Sequence, residues 1–265
     1  MTTNPKVTLV TCKALPNLFP GEEGLLDELA SRGCDPQIKI WNDPDVDWAD
    51  AGMVVVRSVS DYAQDRPAFL EWTKQLRRVQ NSADVLNWNT DKHYLKELSA
   101  LGLPTIPTNW LEAEQKLTKH QIHTRFPAFG EFVVKPAVSS GVRDIGRYTT
   151  VDIRQRQAAM RQVQGLLGEG RSVMLQRYVE EIDLHGEISL VFFNGLVSHA
   201  VEKRSALHPA SVTNPEMHEA VVTADSADSV AWTWGEQIRC VLHDYVRARL
   251  GHDEQFLFNR VDLVP

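Results

Sequence analysis

The 265-residue sequence has three cysteines, Cys12, Cys34 and Cys240, an odd number set far apart with no C-x-x-C pair among them. That spacing suggests neither a disulfide framework nor a zinc site, and a reducing cytoplasm suits it best. Long apolar runs are missing as well. No stretch reaches the roughly 18 residues of a membrane helix, and Met1 to Pro5 lack the basic and then apolar run of a secretory signal. No membrane partner and no targeting segment are expected. Positive charge is in deficit, with 28 Lys and Arg against 35 Asp and Glu and a formal net charge of -7. A sequence-independent grip on nucleic acid needs a concentrated basic surface, so that partner is not expected either, although a local basic pocket stays open. Repeats and low-complexity tracts are absent, as are a Walker A loop, H-E-x-x-H, G-x-S-x-G and a usable G-x-G-x-x-G.

What is present is ordinary for a packed protein, with 43% hydrophobic and 24% charged residues. The length suits about two compact units, each able to bury a core. Val7 to Thr11 reads as a strand, followed by a Pro-containing loop and a helical pattern at Leu25, Leu26, Leu29 and Ala30 that stops near Gly33. Gln37 to Trp41 and Met53 to Val56 read as further strands, and a helix is predicted from about Pro67 to Val79. The next helix is predicted to start near Thr90, whose hydroxyl would cap it, with Tyr94, Leu95, Leu98 and Leu101 on one face. Lys92 would lie in its first turn, where a cation opposes the positive end of the helix dipole and so hints at another use for the ammonium.

Phe132 to Lys135 is a β-type run entering Pro136, followed by the small residues Ser139, Ser140 and Gly141. A helix around Gln157 to Leu167 precedes a strand at Val173 to Val179. Glu187 to Phe193 and Leu196 to Lys203 flank Asn194 and Gly195, a pair that favours a two-residue type I′ turn. A helix from about Val230 to Leu250 and a strand at Phe256 to Val264 complete the pattern. That last apolar run needs a partner strand from elsewhere, which leads to the expectation that the chain continues past Pro265.

The fragments that carry chemistry come in a definite order: N-T-D-K at Asn89 to Lys92, F-V-V-K-P at Phe132 to Pro136, S-S-G at Ser139 to Gly141, Q-R-Y-V-E at Gln176 to Glu180, G-E at Gly186 and Glu187, and R-V-D at Arg260 to Asp262. In that order the chain resembles the ATP-grasp superfamily, closely from about Asn87 to Pro265 and more loosely before it. V-V-V-R-S at Val54 to Ser58, K-H-Y-L-K-E-L at Lys92 to Leu98, R-D-I-G-R-Y at Arg143 to Tyr148, and H-G-E and V-S-H-A further on are most similar to the branch containing the O-ureido-serine cyclo-ligase of cycloserine biosynthesis. Glutathione synthetase is a more distant relative.

The resemblance implies a mixed α/β and α+β fold: an amino-terminal α/β sheet domain over residues 1–86, a smaller ATP-grasp lobe over 87–175 and a larger one over 176–265. It also implies ATP and Mg2+. By matching position Lys92 and Lys135 would bind the phosphates, where two point charges neutralise a polyanion. Ser139, Ser140 and Gly141 would close over the terminal phosphates through backbone amides, against the alternative of a plain surface turn. Gln176, Tyr178 and Val179 match the hinge that reads and covers adenine, with Tyr178 equally readable as core. Glu187 would take the ribose hydroxyls and Asp262 a magnesium ion, a hard cation that prefers oxygen ligands.

Arg57 ends a strand of the first domain, where open α/β sheets place ligands, and matches the branch's R-S pair; it would hold a substrate carboxylate. His199, Lys203 and Arg204 lie on the second arm of the hairpin, with His199 and Lys203 on one face by the period of two. Lys203 would face the phosphates, while His199 and His93 read as structural. Two departures stand out. Relatives continue to a further strand whose Glu and Asn complete the metal sites, and Ser189 stands where glutathione-synthetase relatives carry Arg.

The expected activity is an ATP-dependent ligase joining small-molecule carboxylate and amine-type substrates through an acylphosphate, with ADP and phosphate as products. The alternatives are a non-catalytic nucleotide-binding or regulatory protein with an incomplete metal site, and a kinase with a stable phosphorylated product. Substrate identity, pathway and oligomeric state are not written in these motifs.

Overall fold

A computed structural model describes residues 4–204, 207, 222–224 and 229–265, with the backbone alone at 222–224. Its strands are β1 (Lys6–Thr11), β2 (Asp35–Ile40), β3 (Met53–Ser58), β4 (Val79–Gln80), β5 (Thr108–Leu111), β6 (Glu131–Pro136), β7 (Gly146–Thr149), β8 (Val173–Arg177), β9 (Glu187–Phe193), β10 (Leu196–Lys203), β11 (Val222–Ala224) and β12 (Phe258–Leu263). Among the described residues they form three sheets, in the orders β2-β1-β3-β4, β5-β8-β6-β7 and β11-β10-β9-β12. The first is parallel and the other two are antiparallel. The chain divides into two compact units, Met1–Thr90 with His252–Leu257, and Asp91–Gly251 with Phe258–Pro265. No described helix is long and apolar enough to cross a membrane.

In the first unit the apolar run of β1 is buried from Thr8 to Thr11, as a strand covered on both faces requires. Trp41, Phe69 and Trp72 meet at ring separations of 5.5 to 6.0 Å in the core beside it. The helix Arg66–Lys74 starts where Asp65 accepts from the Ala68 amide, with Pro67 in its first turn. It stops five residues short of the predicted end. Val79 instead pairs with Val54 in β4, because sheet pairing outweighs a weak helical preference.

In the second unit Phe132 and Val134 of β6, with Leu175 of β8, turn to a core shared with Val163 and Leu166 of the helix Ile153–Gly168. The other face of β6 carries Glu131, Val133 and Lys135 by strand alternation. Asn194 and Gly195 take φ values of 54° and 76°, the left-handed pair of a type I′ turn joining β9 and β10. The helix Ser229–Leu250 shares the core of this sheet, where Ala231 clusters with Leu190 and Phe192.

Two expectations are corrected. The last strand finds its partner within the chain: β12 pairs antiparallel with β9, setting Val261 opposite Leu190 and Asp262 opposite Ser189. Thr90 caps no helix start. A helix over Ala83–Asn89, begun by a cap in which Ser82 accepts from the Val85 amide, ends at Thr90, whose hydroxyl donates back to the Leu86 carbonyl at 2.7 Å. The following helix is Tyr94–Ala100, so Lys92 lies in the turn ahead of it rather than in its first turn.

Candidate active site

Lys92 is docked against the chain that leaves β6. Its amide donates to the Ala137 carbonyl at 3.0 Å, and its ammonium donates to the Ser139 carbonyl at 3.0 Å and hydroxyl at 2.7 Å. Burial, and then the charge of Lys135, push the Lys92 ammonium down to about 8, with Asp91 opposing. Lys135 is lowered by burial too, with Glu187 opposing. Two half-buried ammonium groups, one of them disfavoured by the charge of the other, make a place where an anion is stabilising.

The second antiparallel sheet brings its own charges to the same place. Lys203 of β10 is paired with Glu187 of β9 in the strand register. Asp262 Oδ1 accepts from Ser189 Oγ at 2.5 Å and from Arg260 Nε at 2.7 Å, while Oδ2 accepts from Arg260 Nη2 at 2.8 Å; Lys203 Nζ lies 3.8 Å from Oδ1. Burial alone would raise the Asp262 carboxyl, but Arg260, Lys203 and Ser189 outweigh it and hold it low. Its side chain is 39% exposed, so water tempers these charge effects. Glu187 is pushed up by burial and then by the Asp262 charge, against the pull of Lys203, Arg260 and Lys135. Lys135 and Glu187, on different sheets of one unit, therefore feel each other.

Gly186 makes this approach feasible. It has φ 75°, and a Cβ there would sit 2.5 Å from the Lys203 carbonyl oxygen, so a side chain would push β10 away from Glu187.

Ser139 is buried, Ser140 half-buried, and Gly141 exposed at φ 61°. Gln176 is buried with its amide donating to Thr108 Oγ1 at 2.7 Å. The Tyr178 amide donates to the Glu131 carbonyl at 2.9 Å, and its hydroxyl to Asp183 at 2.5 Å. The Val179 carbonyl accepts from the Ile182 amide at the start of the short helix Glu181–His185.

Other residues singled out in the sequence have the following surroundings. Arg57 belongs to the first unit, where its guanidinium pairs with Glu22; Ser58 also donates to Glu22, at 2.7 Å. His199 is exposed, with its Nδ1 2.9 Å from Ser198 Oγ, and Arg204 is exposed as well. His93 lies between Asp91 at 2.6 Å and Glu112 at 3.2 Å and stacks on Trp110, a self-contained cluster. The sequence motifs gave Tyr94 only a place on a helix face and gave Arg260 no part in the site. Arg260 is two residues before Asp262 on one strand, a spacing that places both on one face and could have revealed it. Tyr94 is pushed up by burial and by the Asp262 charge, which places it at the same cluster.

The donor set suits a nucleotide phosphate and a hard cation. Among the described residues no group of three His, Cys, Asp or Glu side chains converges on one point. Magnesium does not need one, because it keeps several waters and joins one or two carboxylates to substrate phosphates.

The model of the D-cycloserine synthetase DcsG N-terminal domain matches residues 7–87. The cycloserine biosynthesis protein DcsG of Streptomyces lavendulae is 32% identical over 246 residues, which is 91% of this chain and 79% of the relative. The crystal structure of D-cycloserine synthetase DcsG superposes with a TM-score of 0.79 at 29% identity, over 97% of this chain and 86% of that one. The D-alanine–D-alanine ligase of Bacillus anthracis, solved complexed with ATP, shares the fold with a TM-score of 0.57 at 13% identity, over 98% of this chain and 82% of that one.

Proposed function

The chain belongs to the DcsG family of ATP-grasp ligases, and on that premise we propose that it activates a small-molecule carboxylate as an acylphosphate for attack by an amine-type nucleophile. A carboxylate oxygen attacks the γ-phosphorus of ATP and ADP leaves. The nucleophile's lone pair then forms the new bond to the acyl carbon, and phosphate leaves with the electrons of the broken C–O bond while the nucleophile gives up a proton. A carboxylate is a poor electrophile until its oxygen becomes a leaving group, so positioning and charge neutralisation do most of the work. The observation that carries this reading is the convergence of Lys92 and Lys135 with Glu187, Lys203 and Asp262 in one unit.

In this reading Lys92 and Lys135 neutralise the phosphates, and Ser139, Ser140 and Gly141 close over the terminal ones. The hinge Gln176, Tyr178 and Val179 receives adenine. Because the Gln176 amide already bonds Thr108, the hinge backbone does the reading. Glu187 takes the ribose hydroxyls, Lys203 faces the phosphates and Arg57 holds the substrate carboxylate. Asp262 would hold Mg2+, which supplies charge neutralisation to the phosphates when bound. The smaller ATP-grasp lobe, 87–175, and the larger one, 176–265, follow the first domain over 1–86.

Similarity to a D-cycloserine synthetase favours a substrate that carries both reacting groups, with O-ureido-serine the first to try. Incubation with MgATP and a panel of amino acids, small amines and O-ureido-serine, following phosphate release, tests this. Release driven by a single bifunctional compound supports cyclisation; a need for a separate amine points to intermolecular ligation. A stable phosphorylated product would instead mark a kinase and overturn the ligase chemistry.

A further inference from the structure

The motif R-D-I-G-R-Y contains an arginine, Arg147, to which the reaction above gives no task. Strand register places it. Val133 of β6 stands opposite Arg147 of β7 and opposite Gln176 of β8, and Lys135 stands opposite Met174. Cross-strand partners share a face. Arg147 therefore lies on the Lys135 face of the sheet, away from the core side taken by Phe132, Val134 and Leu175.

There its guanidinium lies 3.6 Å over the Tyr178 ring. Nε donates to Glu131 at 2.9 Å, and Nη1 to Asp183 at 3.1 Å and to the Leu207 carbonyl at 3.2 Å. The side chain is only 13% exposed. Asp183 also accepts the Tyr178 hydroxyl, and the Glu131 carbonyl accepts the Tyr178 amide. Ring face, hydroxyl and backbone of Tyr178 are thus each held by Arg147 or by one of its own partners. Those partners lie on both sides of the hinge: Glu131 on β6, and Asp183 in the helix that follows Val179. One cation shared by two carboxylates in a mostly dry place is costly to assemble for stability alone, since burying charges offsets most of what pairing them returns.

We propose that Arg147 is the positioning residue of the nucleotide's base pocket, acting through Tyr178 to hold the hinge Gln176 to Val179 in shape for a purine. The proposal rests on the ATP reading above, and it separates the base end of the site from the phosphate end held by Lys92 and Lys135.

Calorimetric titration with a non-hydrolysable ATP analogue and with inorganic tripolyphosphate, both with magnesium, distinguishes the two ends. Wild type should bind both. Arg147→Met should lose about tenfold or more in affinity for the analogue, roughly 1.4 kcal/mol, and keep its affinity for tripolyphosphate. Arg147→Lys retains the charge but not the flat stack and should rescue the loss only in part. Tyr178→Leu strands no buried charge and should reproduce the base-selective loss. The double variant should then lose no more than Tyr178→Leu alone, because the arginine acts through the ring. Equal analogue affinity in a folded Arg147→Met protein overturns the proposal. Equal losses for both ligands, or an unchanged Tyr178→Leu protein, overturn it as well. A wild type that binds neither ligand removes the ATP reading itself, and a wild type that binds only tripolyphosphate removes the base pocket.

Discussion

The Lys92 ammonium donates to both the carbonyl and the hydroxyl of Ser139, at 3.0 and 2.7 Å. One cation thus holds the loop that, in the proposed reaction, closes over the terminal phosphates. A phosphate oxygen competes with Ser139 for the same protons. A charged acceptor makes hydrogen bonds roughly twice as strong as a neutral one, so in the proposed reaction nucleotide entry should release the loop from Lys92.

Lys92 sets a pH dependence. Its pKa of about 8 leaves it largely neutral in the free protein above that pH. Phosphate favours the charged form, so binding near pH 8 to 9 should take up a proton, and affinity should fall above pH 8 by up to about tenfold per pH unit. Calorimetry in buffers of unlike ionisation heat reads the uptake. Without nucleotide the sign differs. Between about pH 8 and 10.5 the unfolded chain holds a proton that the folded one lacks, so this group's contribution to stability rises with pH. Lys92→Arg should abolish both effects, and an absence of proton uptake in wild type would remove Lys92 from the phosphates.

Lys135 tests the phosphate end independently. Lys135→Met keeps much of the apolar stem and removes the charge, so folding should persist. Nucleotide affinity should fall by about 1.5–3 kcal/mol, the range for hydrogen bonds to charged groups, or roughly ten- to a hundredfold. Titration with a non-hydrolysable ATP analogue decides it; equal affinities in equally folded proteins would sink the assignment.

Asp262 tests the metal. In Asp262→Asn the hydrogen bond from Ser189 can persist, while the charge that attracts a divalent cation is gone. The gain in nucleotide affinity that wild type draws from magnesium should shrink by about tenfold or more, on the scale of lost metal-site contacts. Titrations with and without magnesium measure it, and an undiminished gain in the variant would place the ion elsewhere.

Much of this fold is local in the sequence. The apolar run Phe132 to Val134 with Lys135 after it gives β6, and Asn194 with Gly195 gives the hairpin, because alternation and positive φ act over a few residues. What escaped sequence reasoning depends on contacts made at a distance. The Thr90 hydroxyl has the chemistry to cap a helix start, yet it donates back to Leu86 because a helix ends there. The partner of the last strand, β9, lies far back in the chain: Asp262 is in register with Ser189, 73 residues earlier, and accepts its hydroxyl.

 Arg57 meets Glu22 across 35 residues of chain, a pairing that no pattern of neighbouring residues announces. The spacing of Arg260 and Asp262 puts both on one strand face, but the contact of the guanidinium with both carboxylate oxygens depends on the side-chain conformations of the folded strand.

The most direct test of carboxylate activation follows the oxygen atoms. The substrate that drives phosphate release is prepared with its carboxylate labelled in heavy oxygen and incubated with MgATP, and the inorganic phosphate is analysed by mass spectrometry. Acylphosphate chemistry transfers one substrate oxygen to each phosphate released, so the phosphate should carry one heavy oxygen. Phosphate released without label would mean that ATP is hydrolysed by water and that no carboxylate is activated, which contradicts the proposed reaction.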